Sequence, residues 1–452
     1  MFKVMKSTLS LSALAALVTL VPFAQAVSEW GQCDGMSYTG SKSCDAGLTC
    51  VYFNEWYSQC QKSTSSSFPP SSTSQPPPAS TCVCSPVSTA TTTTTSSTSI
   101  PSSTGIANGF VKVDGQKFKV DGVRFNAVGT NAYWLAQLGS ASLIQSAFSE
   151  IASSGATVVR TWGFNDVTSP SGTYYQLWSG STPTINYGAD GFQKFDQVVA
   201  AAKAAGIRLV VPFTGNWGDY GGMDRYITQI LGGGQAHSNF YTNSAIKTAY
   251  KNYVKAFVGR YVNEPTIMSW QLANEPRCNG CSTSIITNWA TEMSAYIKSL
   301  DPNHLVSLGD EGFFNQPGNP SYPYQGGEGV DFAANMGIST LDYGTFHMYI
   351  SPWGISDAQS WGVQWINDHA AVQKSSNKPV IIEEYGLTSS DRNSVYQAWW
   401  NAVLSSGLAG DQYWQAATTA SGSGYNDGYG ISPSDTLFPA VKAHSAAMKV
   451  RS

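Results

Sequence analysis

The sequence predicts an α/β fold: a (β/α)8 TIM barrel preceded by a small β module held together by disulfides. Three observations lead to this prediction. Strand-like and helix-like segments alternate from about residue 106, four cysteines crowd into residues 33–60, and a Ser/Thr/Pro-rich stretch separates the two regions. Alternating strands and helices are typical of a parallel sheet. A doubly wound open sheet is the alternative, which the missing Gly-rich phosphate loop after the first strand disfavours.

The first 26 residues have the pattern of a signal peptide. Lys3 and Lys6 are basic, residues 9–21 are mostly apolar, and Ala24 and Ala26 supply the small residues of a cleavage site. A membrane anchor is the alternative, but the apolar stretch is shorter than the roughly 20 residues that a span needs. We therefore expect a secreted, extracellular protein, in which disulfides can form.

Residues 27–62 are too few for a hydrophobic core, so we expect disulfides to hold them together. The cysteine spacings, with Trp30-Gly31-Gln32-Cys33 at the start and Asn54-Glu55-Trp56-Tyr57-Ser58-Gln59-Cys60 at the end, resemble the fungal family 1 cellulose-binding module. The resemblance implies bridges from Cys33 to Cys50 and from Cys44 to Cys60. The sequence departs from the family pattern at Asp34, where the family generally has Gly. Exposed aromatic rings suit stacking on pyranose rings, although they could instead cover the disulfides. The residues expected to bind crystalline cellulose are Trp30, Gln32, Asn54, Trp56, Tyr57 and Gln59.

Residues 63–105 read as a linker. Of residues 63–104, 33 out of 42 are Ser, Thr or Pro, with no charge and no Gly. Such a composition cannot bury enough apolar surface to fold, and its prolines favour extended conformers. We expect O-glycosylation of this dense Ser/Thr segment.

Residues 106–452 carry the barrel pattern. A hairpin around Asp114-Gly115 is placed to close the bottom of the barrel. Helix-type spacing marks residues 190–205, which stop at Gly206, and residues 250–261. The eight predicted strands are 123–131, 157–162, 207–213, 266–274, 304–308, 343–348, 379–384 and 411–414.

Composition narrows the class of partner. The chain has 14 Trp and 23 Tyr but only 12% charged residues, its formal net charge is -4, and no Lys/Arg run occurs. These features disfavour nucleic acid and anionic membranes as partners and suit sugars. Cys278-x-x-Cys281 lacks the second half of a zinc site, so we expect a disulfide there, with no metal and no cofactor. A monomer is the default expectation.

Two carboxylates follow strand-like runs, Glu275 after the fourth predicted strand and Glu384 at the end of the seventh. Cleaving a glycosidic bond requires such a pair, one proton donor and one nucleophile or base. In a barrel, catalytic groups sit at the C-terminal ends of the strands. Other predicted strand ends add polar and aromatic groups, namely Arg160, Trp162, His347, Tyr349 and Trp414.

Several strings resemble glycoside hydrolase family 5, and finer ones resemble its fungal endo-β-1,4-mannanases. The family strings are Val159-Arg160-Thr161-Trp162-Gly163, Asn274-Glu275-Pro276, His347-Met348-Tyr349, Glu384-Tyr385-Gly386 and Tyr413-Trp414. The finer strings are Gly129-Thr130-Asn131-Ala132-Tyr133-Trp134, Asn216-Trp217-Gly218-Asp219-Tyr220-Gly221-Gly222, Leu308-Gly309-Asp310-Glu311-Gly312 and residues 273–281. The resemblance implies cleavage of internal β-1,4-mannosidic bonds in mannans, galactomannans and glucomannans by a retaining double displacement. Glu384 would be the nucleophile and Glu275 the acid/base. A nucleophile must be ionised, which a nearby Arg160 would favour, whereas an acid must hold its proton, for which we expect apolar or anionic surroundings.

Further roles follow from the same resemblance. Asn274 would bind the sugar's 2-hydroxyl, Tyr349 would orient the nucleophile, Trp414 would carry the cleaved sugar, and Arg277 would contact the sugar on the aglycone side. His347 has either a functional or a structural role. Trp134, Trp162, Trp217 and Trp353 are candidates for stacking or for packing.

Alternatives remain at two levels. Glu383 is the rival nucleophile, because adjacent strand residues point to opposite faces and parity alone cannot choose between them. For function, an endo-β-1,4-glucanase on the same fold is the nearest alternative, and a non-catalytic carbohydrate-binding cell-wall protein is the next. Both glutamates with their neighbours disfavour the second alternative.

Overall fold

The structure is a computed structural model that describes residues 26–27, 32–34, 41–54, 57–62, 109–419 and 427–451. The chain divides into two compact units, residues 1–96 and 97–452. Residues 1–25 of the predicted signal peptide lie outside the described residues, as does the whole linker with its Cys82 and Cys84. The described residues contain no helix that has the length and apolar character of a membrane span.

The small unit is an antiparallel sheet in the order β1-β3-β2. Its strands are β1 Gln32–Asp34, β2 Leu48–Asn54 and β3 Tyr57–Lys62. Disulfides join Cys33 to Cys50 and Cys44 to Cys60, the pairing that the resemblance implies. Of the predicted cellulose-binding residues, Trp30 and Trp56 lie outside the described residues. Gln32, Asn54, Tyr57 and Gln59 lie on the strands.

The large unit begins with an antiparallel sheet that closes the bottom of the barrel. Its strands are β4 Lys112–Asp114, β5 Lys117–Val120 and β6 Val123–Phe125. Phe118 and Val120 pack against residues such as Val158 and Met268 inside the barrel. The prediction of one strand over 123–131 was wrong, because Asn126 separates β6 from the barrel strand that follows. Its side chain accepts from Arg124 Nε at 2.7 Å and donates to the carbonyl of Arg451.

The predicted (β/α)8 barrel is confirmed. In the described part of the chain, eight parallel strands form one sheet, and a small side sheet lies between the second and third of them. In chain order the strands are β7 Ala127–Asn131, β8 Val158–Arg160, the side-sheet strands β9 Asp166–Val167, β10 Gln176–Ser179 and β11 Thr182–Ile185, then β12 Arg208–Pro212, β13 Ile267–Gln271, β14 Leu305–Ser307, β15 Gly344–Met348, β16 Val380–Tyr385 and β17 Gly410–Tyr413.

Hydrogen bonds close the sheet between its two end strands. The order is β14-β13-β12-β8-β7-β17-β16-β15. The backbone N–H of Asp342 donates to Val306 at 2.8 Å, and that of His347 donates to Glu311 at 3.2 Å. These bonds join the segments of β14 and β15, so the open-sheet alternative is excluded.

Helices surround the barrel and bury one stripe each. In the second helix, Phe192, Phe195 and Val198 are fully buried, and Gly206 ends the helix with φ 74°. Only a residue that tolerates this left-handed conformation caps a helix without strain. The helices are α1 Ala141–Ser153, α2 Phe192–Ala205, α3 Gly222–Leu231, α4 Asn239–Thr242, α5 Ser244–Tyr261, α6 Ser284–Leu300, α7 Phe332–Met336, α8 Ala358–Ser376, α9 Arg392–Ser406 and α10 Phe438–Lys449.

Candidate active site

Glu275 lies on a loop just beyond a barrel strand. The fourth barrel strand ends at Gln271, earlier than predicted, because residues 272–275 are irregular and bend after the strand. Neighbouring strand ends hold the loop: Asn274 N–H donates to Thr214, and Glu275 N–H donates to Gly309, both at 2.8 Å. Glu275 has φ 53°, an uncommon conformation for a residue with a side chain. The loop backbone is therefore fixed by its neighbours where the carboxylate is presented.

A β-bulge explains how two adjacent glutamates share the interior of the barrel. Along β15 and β16, Phe346 pairs with Ile382, but His347 pairs with Glu384, so Glu383 is an extra residue in its strand. A bulge locally interrupts the alternation of side chains between faces. Glu383 and Glu384 consequently both reach the cluster of charged residues in the barrel.

Glu384 and Glu275 lie close together in the mouth. One carboxylate oxygen of Glu275, one of Glu384 and one ring nitrogen of His347 all lie within 4.8 Å of one another. Both glutamate side chains are buried, with 7% exposure for Glu275 and 3% for Glu384. This upper bound of 4.8 Å lies below the roughly 6.5–9.5 Å that separates the carboxyl groups of inverting glycosidases, and it fits the shorter spacing of about 5–5.5 Å in retaining ones.

Glu384 is held by two donors. Arg160 Nη1 donates to its Oε1, and the Tyr349 hydroxyl donates to its Oε2 at 2.7 Å. Arg160 is fully buried and also donates from Nη2 to Asn274 Oδ1 at 2.7 Å. The arginine thus acts on the site through Glu384 and Asn274.

Glu383 lies deeper in the barrel and is fully buried. Gln271 Nε2 donates to both of its oxygens, at 2.9 and 2.8 Å. Arg160 Nε lies 3.4 Å from its Oε2, and His347 Nε2 lies 3.6 Å from the same oxygen. Glu383 therefore holds the two cationic groups that contact the other glutamates.

Glu275 is held from two sides. Trp217 Nε1 donates to its Oε2, and His347 Nδ1 lies 2.7 Å from its Oε1. The nearest charged partner of Glu275 is the imidazole of His347, and this imidazole also lies near the carboxylates of Glu383 and Glu384. The expectation that the acid has apolar or anionic surroundings was therefore wrong.

These contacts set the charge of the cluster. Burial disfavours a charge on His347, but the surrounding carboxylates, with Glu384 foremost, raise its pKa to about 10. Burial also opposes ionisation of Glu275, yet the hydrogen bond and charge of His347 hold its pKa below the ordinary value. Burial raises the pKa of Glu384, and the charge of Glu275 adds to this against His347 and Arg160. In the free protein the proton between His347 and Glu275 therefore rests mainly on His347.

The same three residues offer oxygen and nitrogen atoms that could ligate a metal ion. Each of these side chains already has a close partner, and the donors include Arg160, Tyr349 and Trp217. A guanidinium on one carboxylate and an indole N–H on the other fit anionic oxygens better than they fit a cation. The donor set favours acid–base and nucleophilic chemistry.

Arg277 lies beside Trp217, the residue whose indole N–H donates to Glu275. Its guanidinium lies over the rings of Trp217 and Phe313, at 5.1 and 5.2 Å from their centroids. It also pairs with Glu311 through Nε and Nη2 at 2.5 and 2.6 Å. Burial, with the charge of Glu275, raises the pKa of Glu311 to about 8. Trp217 is 45% exposed, so its ring remains available for contact.

A disulfide joins Cys278 to Cys281 directly after this arginine. The backbone N–H of Cys278 donates to Glu328 at 2.8 Å, and that of Gly280 donates to Gly327 at 2.9 Å. The disulfide and two backbone hydrogen bonds thereby fix the loop that carries Arg277.

A cluster of aromatic rings surrounds Trp414, the residue that follows the last barrel strand. Tyr133 stacks on Trp414 with ring centroids 5.4 Å apart and planes 5° apart, and Trp162 lies 5.7 Å from Tyr133. Trp134 is fully buried and donates to Gln415, and Trp353 packs on Phe313, Trp361 and Trp365. Of the aromatic candidates, these last two are packing residues.

Sequence reasoning missed several members of the site. They are Tyr133, Gln271, Glu311, Asp427 and Tyr429. Gln271 is the last residue of β13, and Glu311 lies four residues after the end of β14, so the position of each close to a strand end was a usable signal. Asp427 and Tyr429 lie in a Gly-rich connection without any pattern.

Comparison with known proteins gives the family. Residues 108–421 match the family described as GH family 5 beta-mannosidase-like, and residues 29–57 match the fungal cellulose binding domain. The first match covers more than half of the chain. The chain belongs to glycoside hydrolase family 5.

Relatives within this family cover nearly the whole chain. Mannan endo-1,4-beta-mannosidase F of Aspergillus fumigatus is 46% identical over 428 residues, which is 93% of this chain and 95% of that protein. Mannan endo-1,4-beta-mannosidase A of Aspergillus aculeatus is 46% identical over 334 residues, which is 73% of this chain and 87% of that protein.

Solved structures of this family have the same fold. The endo-1,4-beta-mannanase from Rhizomucor miehei superposes with a TM-score of 0.70 at 40% identity, over 75% of this chain and 99% of that chain. The endo-beta-1,4-mannanase from Thermotoga petrophila has a TM-score of 0.64 at 34% identity, over 72% of this chain and 77% of that chain.

Proposed function

We propose that the protein is a secreted, endo-acting retaining glycoside hydrolase that cleaves internal β-1,4-mannosidic bonds in mannans, galactomannans and glucomannans. The observation that carries the chemistry is the approach of Glu275 and Glu384 to within 4.8 Å, with different partners on each. The relatives named for mannan hydrolysis support the substrate.

Glu384 attacks the anomeric carbon in this proposal. Arg160 and Tyr349 both donate to its carboxylate, which orients its oxygens and opposes the rise in its pKa that burial causes. Covalent attack gives a glycosyl–enzyme intermediate, which water then hydrolyses.

Glu275 protonates the leaving oxygen and then activates the water. Its proton is supplied across the 2.7 Å hydrogen bond from His347 Nδ1. Transfer of that proton leaves a neutral imidazole and a neutral carboxylic acid, so the net charge of the pair does not change. Protonated Glu275 is then the general acid for the first step.

The choice of sugar distinguishes this proposal from an endo-β-1,4-glucanase. In the proposal, Asn274, which accepts from Arg160 Nη2 at 2.7 Å, contacts the 2-hydroxyl of the sugar. Mannose and glucose differ only in the orientation of that hydroxyl, so the two activities are distinguished by the substrate and not by the catalytic pair. Release of reducing ends from locust bean gum and from carboxymethylcellulose should be measured side by side. We expect hydrolysis of the gum. Preference for carboxymethylcellulose would support the glucanase, and inactivity on both would support a binding protein.

The N-terminal module is proposed to anchor the enzyme on crystalline cellulose. The match of residues 29–57 to the fungal cellulose binding domain supports this role. We assign the module to residues 27–62 and a linker to residues 63–105, after a signal peptide of 26 residues. Tethering raises the local concentration of the enzyme near mannan that is embedded in cellulose.

A further inference from the structure

Residues 427–431, which follow the last barrel strand in the sequence, lie near the mouth of the barrel. Ala416 forms a bridge with Ile431, and the Ile431 N–H donates to Gln415 at 2.9 Å. These contacts bring the residues before Ile431 back beside Trp414. The segment Asp427–Tyr429 is therefore a neighbour of the site, although it is remote from both glutamates in the sequence.

Asp427 uses both carboxylate oxygens within this region. Its Oδ2 accepts from Trp414 Nε1 at 2.6 Å, and its Oδ1 accepts from the backbone N–H of Tyr429 at 3.0 Å. The first contact is a charge-assisted hydrogen bond, which is stronger than one between neutral groups. Tyr133 stacks on the same indole. Stacking fixes the plane of the Trp414 ring, and the bond to Asp427 fixes its rotation within that plane.

Tyr429 contacts a second residue of the site, Tyr349. Its ring meets that of Tyr349 edge-on, with centroids 6.1 Å apart, and Tyr349 is the residue whose hydroxyl donates to Glu384. Gly386 makes room for Tyr429, because a Cβ there would lie 2.6 Å from Tyr429 Cδ1 and 2.9 Å from the Trp414 carbonyl. The glycine that follows Glu384-Tyr385 is thus explained by a ring about forty residues further along the chain.

We propose that Asp427 and Tyr429 are positioning residues for the proposed glycosidase reaction. Asp427 sets the orientation of the Trp414 indole against the bound sugar, and Tyr429 braces Tyr349 against the nucleophile. This inference rests on the proposed function. Neither residue needs to touch the reacting atoms, because small displacements of groups that position the substrate are enough to slow catalysis, by up to about 10²-fold per ångström.

A double-mutant cycle tests whether Asp427 acts through the indole N–H. The variants are Asp427→Ala, Trp414→Phe and the double variant, assayed for kcat and KM on soluble mannan. Because Phe lacks the N–H donor, Asp427→Ala should lower kcat/KM in the wild-type background and cause a much smaller further loss beside Trp414→Phe, where only the bond to the Tyr429 N–H remains to be lost. Multiplying effects would overturn the proposal.

Matched variants separate the hydrogen bond from other causes. Asp427→Asn keeps an acceptor oxygen and should retain most of the activity, and loss equal to that of Asp427→Ala would overturn the proposal. Tyr429→Phe keeps the ring and should match wild type, whereas Tyr429→Ala should lower kcat. Equal activity of Tyr429→Ala and Tyr429→Phe would overturn the role of that ring. Exposed Asp190, replaced by Ala, is the control.

The wild-type assay keeps the two claims distinguishable. Wild-type protein that fails to cleave mannan would refute the proposed function. Active wild-type protein whose Asp427→Ala and Trp414→Phe losses multiply would refute only the positioning role. Circular dichroism of each variant should match wild type, so that a loss of activity is not a loss of fold.

Discussion

The Nδ1 atom of His347 lies 2.7 Å from the Oε1 atom of Glu275, inside a barrel mouth where both side chains are buried. This contact joins the group that holds the proton in the free protein to the group that must deliver it. The proposed acid function therefore belongs to the pair, and the two residues should titrate together.

Replacing His347 by Asn should lower kcat and move the alkaline limb of the kcat/KM profile to lower pH. The neighbouring carboxylates raise the pKa of His347 to about 10, so the pair keeps its proton as the pH rises through neutrality. Without the imidazole, Glu275 loses its proton at a lower pH. His237, which is paired with Asp224 at 2.8 Å, provides a control variant. An unchanged alkaline limb in His347→Asn would contradict the shared proton.

Replacing Glu275 by Ala should slow hydrolysis of mannan by about 10²–10⁴-fold, which is typical of a lost general acid–base catalyst. A dinitrophenyl mannobioside needs no protonation of its leaving group, so the first step should persist with that substrate. Added azide should then replace water and give a β-glycosyl azide. An equal loss on both substrates, without azide product, would show that Glu275 is not the acid/base.

Replacing Glu383 by Gln should reduce stability more than it affects the chemical step. Glu383 is fully buried and faces Arg160 and His347, and removing one partner of a buried ion pair costs about 3–5 kcal/mol. Urea unfolding of Glu383→Gln should show this loss. Glu384→Gln should instead be folded and inactive. Wild-type stability with abolished turnover in Glu383→Gln would return the nucleophile role to Glu383.

Deleting residues 27–62 should reduce retention on crystalline cellulose and leave hydrolysis of soluble mannan unchanged. The match of residues 29–57 to the fungal cellulose binding domain is the basis of this expectation. A pull-down on microcrystalline cellulose compares the two proteins. Equal retention of full-length and truncated protein would refute anchoring by the module.

The sequence predicted the barrel and its two glutamates because their signals are local. Strand-like runs alternate with helical stripes, and each glutamate follows such a run. Parity could not decide between Glu383 and Glu384, because the bulge depends on how β16 pairs with β15. The burial of Trp134 and Trp353 was equally hidden, since an aromatic side chain has the same local pattern in a cleft and in a core.

Contacts between distant segments account for most of what the sequence did not predict. The cationic partner of Glu275 comes from another strand, so the expected apolar or anionic surroundings could not be checked along the chain. Asp427 accepts a hydrogen bond from Trp414, thirteen residues away in the sequence. Such pairs depend on loop paths, for which hydrophobic periodicity carries no information.

The identity of the nucleophile is tested most directly by trapping the covalent intermediate. A 2-deoxy-2-fluoro-β-mannobiosyl fluoride slows both steps but has a good leaving group, so the glycosyl–enzyme should accumulate and be located by peptide mass spectrometry. A single label is expected on Glu384, which is held by Arg160 and Tyr349. A label on Glu383 or Glu275, or an active enzyme that acquires no label, would contradict this expectation.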